Sequence, residues 1–380
     1  MSMSSHVAGA VETLRSGERT VDLKDFTREE LGLLLKEGLS EPRFRGDQLF
    51  QWLYQHLAED FQSMTNLSKG LREKLDGRAR ISALKPEGAL GSTDGTTKLT
   101  FRCDDDAVIE TVYIPSEGRN TLCISSQVGC AMGCTFCYTA KMGLKRDLSA
   151  AEIVEQVVQA RRTMTEVNGH IGNIVFMGMG EPLHNVDNVI RAIQILTDDK
   201  GLNFSRRKVT VSTSGLVPAI ERLGEETDVQ LAISLNATTD EIRSQIMPVN
   251  DRWKIADLFE ALKRFPLSNR ERITFEYVLI RDVNDTLDDA RRLIDLVKEV
   301  PAKINLIPFN PHPRTPFQTP SEERIDAFMK VLVDAHVGVY RRRTRGREEM
   351  AACGQLGKPG EKEPPHVRKK LAPFREQSAT

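Results

Sequence analysis

With 380 residues, 39% of them apolar and 28% charged, the chain is long enough for one large domain and a smaller one. Its composition is that of a globular protein rather than a fibrous or disordered one. No stretch reaches the roughly 18 apolar residues of a membrane span, and Met1 to Ala10 lacks the basic start and apolar run of a secretory signal, so a cytoplasmic monomer with no membrane partner is expected. The formal net charge of -1 gives no argument for nucleic-acid binding from the total, and any basic surface must be local.

Residues 1–20 are small and polar and read as a flexible tail. A capping box, Thr27 with Glu30, opens a helix that carries Leu31, Leu34 and Leu35 on one face. A second helix is expected from Arg45 to Leu57, with Phe50, Leu53, Tyr54 and Leu57 at helical spacing, and a third from Ser68 to Leu75. Together they define a helical module over 21–90. Arg43, Phe44 and Arg45 at the entry to the second helix suit contact with RNA backbone and a base; the plain alternative is a solvated turn with Phe44 in the module core.

Strand patterns follow at Lys98 to Cys103 and Ala107 to Ile114, joined by Asp104, Asp105 and Asp106; these fall in a β extension over 91–120. A third strand, Leu122 to Ser125, leads into Gly129, Cys130, Ala131, Met132, Gly133, Cys134, Thr135, Phe136, Cys137. Three sulfurs at spacings of four and three residues reach one centre without help from distant chain. A closed zinc site takes four protein ligands, usually as two separated pairs, and here no second pair follows. Clustered thiolates suit a four-iron, four-sulfur cluster, and three of them leave one iron open to a ligand. A degenerate zinc loop and buried structural cysteines stand as the alternatives.

Beyond a second capping box, Ser149 with Glu152, strand and helix alternate. Strands are expected at Asn173 to Met177, Lys208 to Ser212, Val229 to Leu235, Ile273 to Leu279 and Ile304 to Phe309. Helices fall near 186–198, 216–223, 254–264, 286–299 and 321–335. Strand-helix units joined by helical crossovers require a parallel sheet, and functional residues then collect where strands end. Gly180 and Glu181 follow the first of these strands. Ser212 closes the second, Ser234, Leu235 and Asn236 close the third, and Asn310 follows the last; each small polar group there suits ribose hydroxyls or a polar cofactor tail. Five arginines, Arg341, Arg342, Arg343, Arg345 and Arg347, precede Cys353 and can neutralise phosphates; the plain alternative is a solvated charged strand. Lys358 to Arg375 reads as a flexible basic tail.

The Cys-x3-Cys-x2-Cys loop with Phe136 before its last cysteine resembles that of radical S-adenosylmethionine (SAM) enzymes. The resemblance implies an α/β fold: a partial (β/α)6 barrel over 121–346, with the small N-terminal helical domain, the short β extension and a C-terminal segment over 347–380. It implies that Cys130, Cys134 and Cys137 hold the cluster, that Gly180 and Glu181 hold the methionine amino group of SAM, and that Phe136 packs on its adenine. Within that group the chain is similar to the methyltransferases that act on carbon 2 of adenosine in 23S ribosomal RNA, at the peptidyl transferase centre, and in tRNA next to the anticodon. The matching segments are Ile109 to Pro115, Cys123 to Cys137, Gly178 to Leu183, Ser234 to Ala237, Asn305 to Pro311, Thr344 to Gly346 and Ala351 to Leu356. What this implies is two SAM per methylation, Cys353 as methyl carrier, Glu110 as proton acceptor and Cys123 as the thiol that releases product through a disulfide. Flavodoxin or ferredoxin is the expected electron donor, and the N-terminal helices are expected to help hold RNA. Two readings compete: a sister enzyme that methylates carbon 8 and keeps the same cysteines, and a non-catalytic, metal-stabilised RNA-binding protein.

Overall fold

The computed structural model describes residues 4–377 apart from 19, 82–83, 166–169, 347 and 359–363. The first helix, α1 (Ser5–Ser16), corrects the expectation of a flexible tail: Ser4 caps it, Gly17 closes it in a left-handed conformation, and Val7, Val11 and Leu14 form a buried stripe. Three apolar residues among small polar ones make too faint a period to read. α2 (Arg28–Leu39) starts at the expected capping box of Thr27 and Glu30 and buries Leu31, Leu34 and Leu35. α3 (Phe44–Tyr54) and α4 (Lys69–Asp76) complete the module. The two-residue strands β1 (Val21–Asp22) and β2 (Ala79–Arg80) pair in parallel and close its ends together.

The main sheet begins with β3 (Lys85–Gly91), β4 (Thr97–Arg102) and β5 (Val108–Ile114), an antiparallel meander. β3 lies inside the stretch that the sequence assigned to the helical module. Its Pro86 and Gly88 hide a strand signal, and every residue in it is exposed. β6 (Thr121–Cys123) pairs with β5 and leads to a small hairpin, β7 (Gln127–Gly129) with β8 (Leu144–Asp147), which frames the cysteine loop.

From there the chain alternates: α5 (Ala150–Thr165), β9 (Asn173–Phe176), α6 (Val186–Thr197), β10 (Val209–Thr213), α7 (Val217–Glu226), β11 (Gln230–Ser234), α8 (Asp240–Ile246) and α9 (Ile255–Arg264), then β12 (Ile273–Leu279), α10 (Leu287–Val297), β13 (Ala302–Pro308), α11 (Glu322–Asp334), β14 (Val339–Arg341) and α12 (Pro365–Gln377). The sheet order is β14-β13-β12-β11-β10-β9-β6-β5-β4-β3, parallel from β14 to β6. The six expected parallel strands form the open barrel, and β14 adds a short seventh that its arginines conceal in the sequence. One face of the barrel strands is apolar and buried: Ile174, Val211, Ile233, Phe275 and Ile304 share that face by register and are all fully buried, whereas Ser212, Ser234 and Glu276 stand on the other.

α12 is the second correction. The basic tail was expected to be flexible, yet Val367 and Leu371, one turn apart, are fully buried, and Phe374 packs edge-on against Phe317 at 4.8 Å. Lys370 Nζ donates to the Ser244 carbonyl and to Asp251, each at 2.8 Å. Two apolar residues within a Lys- and Arg-rich run suffice once the barrel supplies a surface for them.

Candidate active site

The cysteine loop leaves the small hairpin at Gly129, whose φ of 81° and position leave no room for a side chain: a Cβ there would lie 1.8 Å from the Gly143 carbonyl oxygen. That close approach brings the two ends of the loop together. Cys130, Cys134 and Cys137 then face an open cleft of about 1000 Å³ at the carboxyl ends of the barrel strands, and Cys353 lines the same cleft from the returning C-terminal segment. Among the described residues no three ligating side chains converge on one point as a single metal ion would require. Each thiolate of a four-iron cluster binds a different iron, so three sulfurs spread along one wall fit that group.

Gly180, Glu181, Ser212, Ser234, Asn236, Asn310 and Phe136 all line the cleft, as the strand-end argument expects. Glu181 is buried and accepts hydrogen bonds from the backbone N–H groups of Leu183 (3.0 Å) and Ser214 (2.7 Å), while burial raises its pKa. Gly180 is required from behind, not from the ligand side: a Cβ would meet Gln127 at 2.5 Å. Asn236 adopts a left-handed φ of 56°, with Oδ1 accepting from Val278 N–H at 2.8 Å. Asn310 carries Thr344 Oγ1 on its Oδ1 (3.0 Å) and donates to the Cys353 carbonyl (3.3 Å), so it ties down the reactive segment.

Three expected residues lie elsewhere. Leu235 is fully buried and absent from the cleft wall; its carbonyl accepts from Arg243 Nε (3.1 Å). Cys123 sits in an adjoining pocket that it shares with Cys353 and Arg342. Both cysteines are free thiols, and burial pushes the Cys123 thiol up to about 12. Glu110 is buried outside both pockets; its Oε2 accepts from Gly357 N–H (2.7 Å) and its Oε1 faces Lys98 Nζ at 3.4 Å.

Sequence reasoning missed Glu276, Arg342 and Arg243. Glu276 interrupts the apolar strand β12, which was a readable signal. Its Oε2 accepts from Ser212 Oγ (2.8 Å), whereas its Oε1 is buried with no hydrogen-bond partner. A buried carboxylate oxygen left without a hydrogen bond on a cleft wall fits a polar ligand such as SAM. Arg342 was grouped with its neighbours as phosphate-binding. It instead turns inward, 4.0 Å from Glu276 Oε1, and shares a pocket with Cys353, where its charge opposes the rise that burial causes in that thiol's pKa. Arg341 pairs with Glu322 and Asp326, Arg345 donates to the Asp94 carbonyl (3.2 Å), Arg343 is exposed, and Arg347 lies outside the described residues. Phe44 is 54% exposed, with Arg45 stacked over its ring at 4.9 Å, so it does not sit in the module core.

Residues 124–297 match the Radical SAM superfamily. Fold, cleft and cysteine loop together define a radical SAM enzyme. Residues 21–81 match the ribosomal RNA large subunit methyltransferase N-terminal domain. The chain is 52% identical over 348 residues to the dual-specificity RNA methyltransferase RlmN 2 of Myxococcus xanthus, covering 90% of this chain and 92% of that protein. It is 54% identical over 336 residues to the RlmN of Geobacter sulfurreducens, covering 88% and 92%. A radical SAM methyltransferase from Sphaerobacter thermophilus superposes with a TM-score of 0.83 at 44% identity, over 88% of this chain and 99% of that one. The chain belongs to the RlmN family of radical SAM RNA methyltransferases. Its cofactors are a 4Fe-4S cluster and SAM. Among the described residues no helix is long and apolar enough to cross a membrane.

Proposed function

We propose that the chain methylates carbon 2 of an adenosine in 23S ribosomal RNA, at the peptidyl transferase centre, and in tRNA next to the anticodon, in the cytoplasm and with Cys353 as methyl carrier. The observation that carries this reading is the shared wall: Cys353 faces the same cleft as the three loop cysteines, with a second thiol, Cys123, in the pocket next to it. Carbon 2 of adenine lies between two ring nitrogens, is electron-poor, and does not attack a sulfonium, so direct polar transfer is closed to it. Cys130, Cys134 and Cys137 would hold the cluster, and Glu181, Ser212, Ser234, Asn236 and Phe136 would hold SAM. Once bound, these groups supply a transferable methyl and a means of removing hydrogen from an unactivated carbon.

The chain's own residues do the rest. Cys353 takes the methyl on sulfur, for which a thiolate is a good nucleophile, and Arg342 beside it favours that thiolate. One hydrogen atom leaves the S-methyl group, its carbon joins carbon 2, and the adduct gives up its unpaired electron, so that RNA and Cys353 are covalently linked. Glu110, fixed to the reactive segment through Gly357 N–H, accepts the carbon 2 proton. Cys123 attacks the Cys353 sulfur, the carbon–sulfur bond breaks, and the released carbon takes up a proton to give methyladenosine, leaving a Cys123-Cys353 disulfide that an external reductant resets.

Mass spectrometry of adenosines from ribosomal RNA and tRNA, incubated with anaerobically reconstituted protein, SAM and reductant, tests the reading. The 2-methyl isomer is the expected product. The 8-methyl isomer would assign the chain to the sister reaction and overturn the carbon 2 assignment.

A further inference from the structure

Arg243, on α8, is fully buried and donates to four uncharged acceptors: Leu235 O (3.1 Å), Asn250 Oδ1 (3.0 Å), Ser214 O (2.7 Å) and Ser234 O (3.4 Å). No carboxylate among the described residues is in ion-pair range of it. A buried guanidinium without an anion is strongly disfavoured, so the position asks where its counter-charge comes from. Ser214 and Ser234, whose carbonyls it holds, line the same cleft as Cys130, Cys134 and Cys137. A second cation reaches the cysteine loop: Lys141, 1% exposed, donates from Nζ to the Thr135 carbonyl at 3.2 Å. The Thr135 N–H in turn bonds the Ile246 carbonyl, at the end of α8 (2.9 Å).

We propose that Arg243 is the fixed counter-charge of the iron-sulfur cluster, a positioning residue that favours the cluster's one-electron-reduced form. Reduction adds one electron and makes the site one unit more negative. A buried cation that cannot move away stabilises that state strongly at low dielectric, and net charge and hydrogen bonding are the levers by which a protein sets such potentials. The fork that keeps the charge in place also holds the carbonyls of Ser214, Ser234 and Leu235 at the ends of β10 and β11, beneath the residues proposed to bind SAM. One side chain thus couples the charge at the cluster to the shape of the cleft.

The test is a mediated dithionite titration of the anaerobically reconstituted protein, without SAM or RNA, followed by electron paramagnetic resonance. Because no RNA enters the measurement, failure of the carbon 2 assignment leaves its outcome intact. Arg243→Gln is expected to shift the midpoint to more negative potential at unchanged iron content, and Arg243→Lys to restore most of it, which a merely structural role does not explain. Asn250→Asp keeps the arginine and places a carboxylate on its Nη1, and is expected to shift the potential the same way if the glutamine variant does not fold. An intact cluster with an unshifted potential in either Arg243→Gln or Asn250→Asp would overturn the proposal.

Discussion

The cleft at the strand ends and the seam between α5 and the N-terminal module are both buried and both polar, yet their polar groups are used in opposite ways. At the seam Lys24 and Glu155, each 1% exposed or less, form an ion pair. Gln159 donates to the other Glu155 oxygen at 2.8 Å, and Tyr54 Oη donates to the Lys24 carbonyl at 3.1 Å. Asp25 Oδ1 accepts from Ala151 N–H at 3.0 Å. Each of these charges has a protein partner. In the cleft Glu276 keeps one oxygen without a hydrogen bond, and Arg243, which holds the carbonyls of the cleft residues Ser214 and Ser234, bonds only uncharged acceptors among the described residues. The contrast teaches that full pairing marks a joint of the fold, whereas incomplete pairing on a cleft wall marks a place for a ligand.

Two substitutions break the comparison with the largest effects. Cys353→Ala is expected to abolish methyl transfer while the brown colour of the cluster remains, measured by methyladenosine yield and by absorbance near about 400 nm; full activity in this variant would remove the methyl-cysteine route. At the seam, Glu155→Leu strands Lys24 as a buried unpaired charge, and a loss of about 3–5 kcal/mol is expected in denaturant unfolding. The double variant Lys24→Met with Glu155→Leu should recover most of that loss, because replacing both partners removes the unpaired charge.

The two regions also differ in how far they could be read from the sequence. The loop cysteines and the strand-end residues were legible because the barrel's period fixes where strands end, and there Ser212, Ser234 and Asn236 do line the cleft. Leu235 lies off the cleft wall because adjacent residues of extended chain turn their side chains to opposite faces. Arg342 was illegible for a different reason: in a run of arginines nothing local says which one turns inward, and its partner Glu276 lies far back in the chain, on β12. The Lys24-Glu155 pair is equally non-local. α1 and α12 were missed because each depends on two or three apolar residues whose burial is supplied by the rest of the fold.

Glu276→Gln sharpens the comparison from the cleft side. The variant can keep the contact with Ser212 but lacks the charge, and SAM binding is expected to weaken by more than about tenfold, as loss of a charge-assisted hydrogen bond of about 1.5–3 kcal/mol implies. Thermal stability should be unchanged. Calorimetric titration with SAM and a melting curve separate the two regions: lost stability with unchanged SAM binding would place Glu276 with the structural pairs.

The smallest effect is expected at Asp105, in the turn between β4 and β5. Arg146 Nε and Nη2 bond its two oxygens at 2.6 and 2.8 Å, and the same guanidinium grips Glu152, so the β extension is clamped to the start of α5. The Arg146 hydrogen bonds lower the Asp105 pKa to about 2 from 3.8. A carboxylate whose folded pKa is depressed stabilises the fold above its unfolded pKa and loses that contribution as pH falls through the folded value. The advantage of the native chain over Asp105→Asn should therefore be constant at neutral pH and shrink between about pH 4 and pH 2. Because Asp105 is half exposed, solvent screens the pair and the advantage should stay near or below about 1 kcal/mol. Melting temperatures of the two proteins at about pH 6 and about pH 3, on either side of the unfolded pKa, check the sign: a gap that stays constant between them would show that Arg146 stabilises the turn through Glu152 alone.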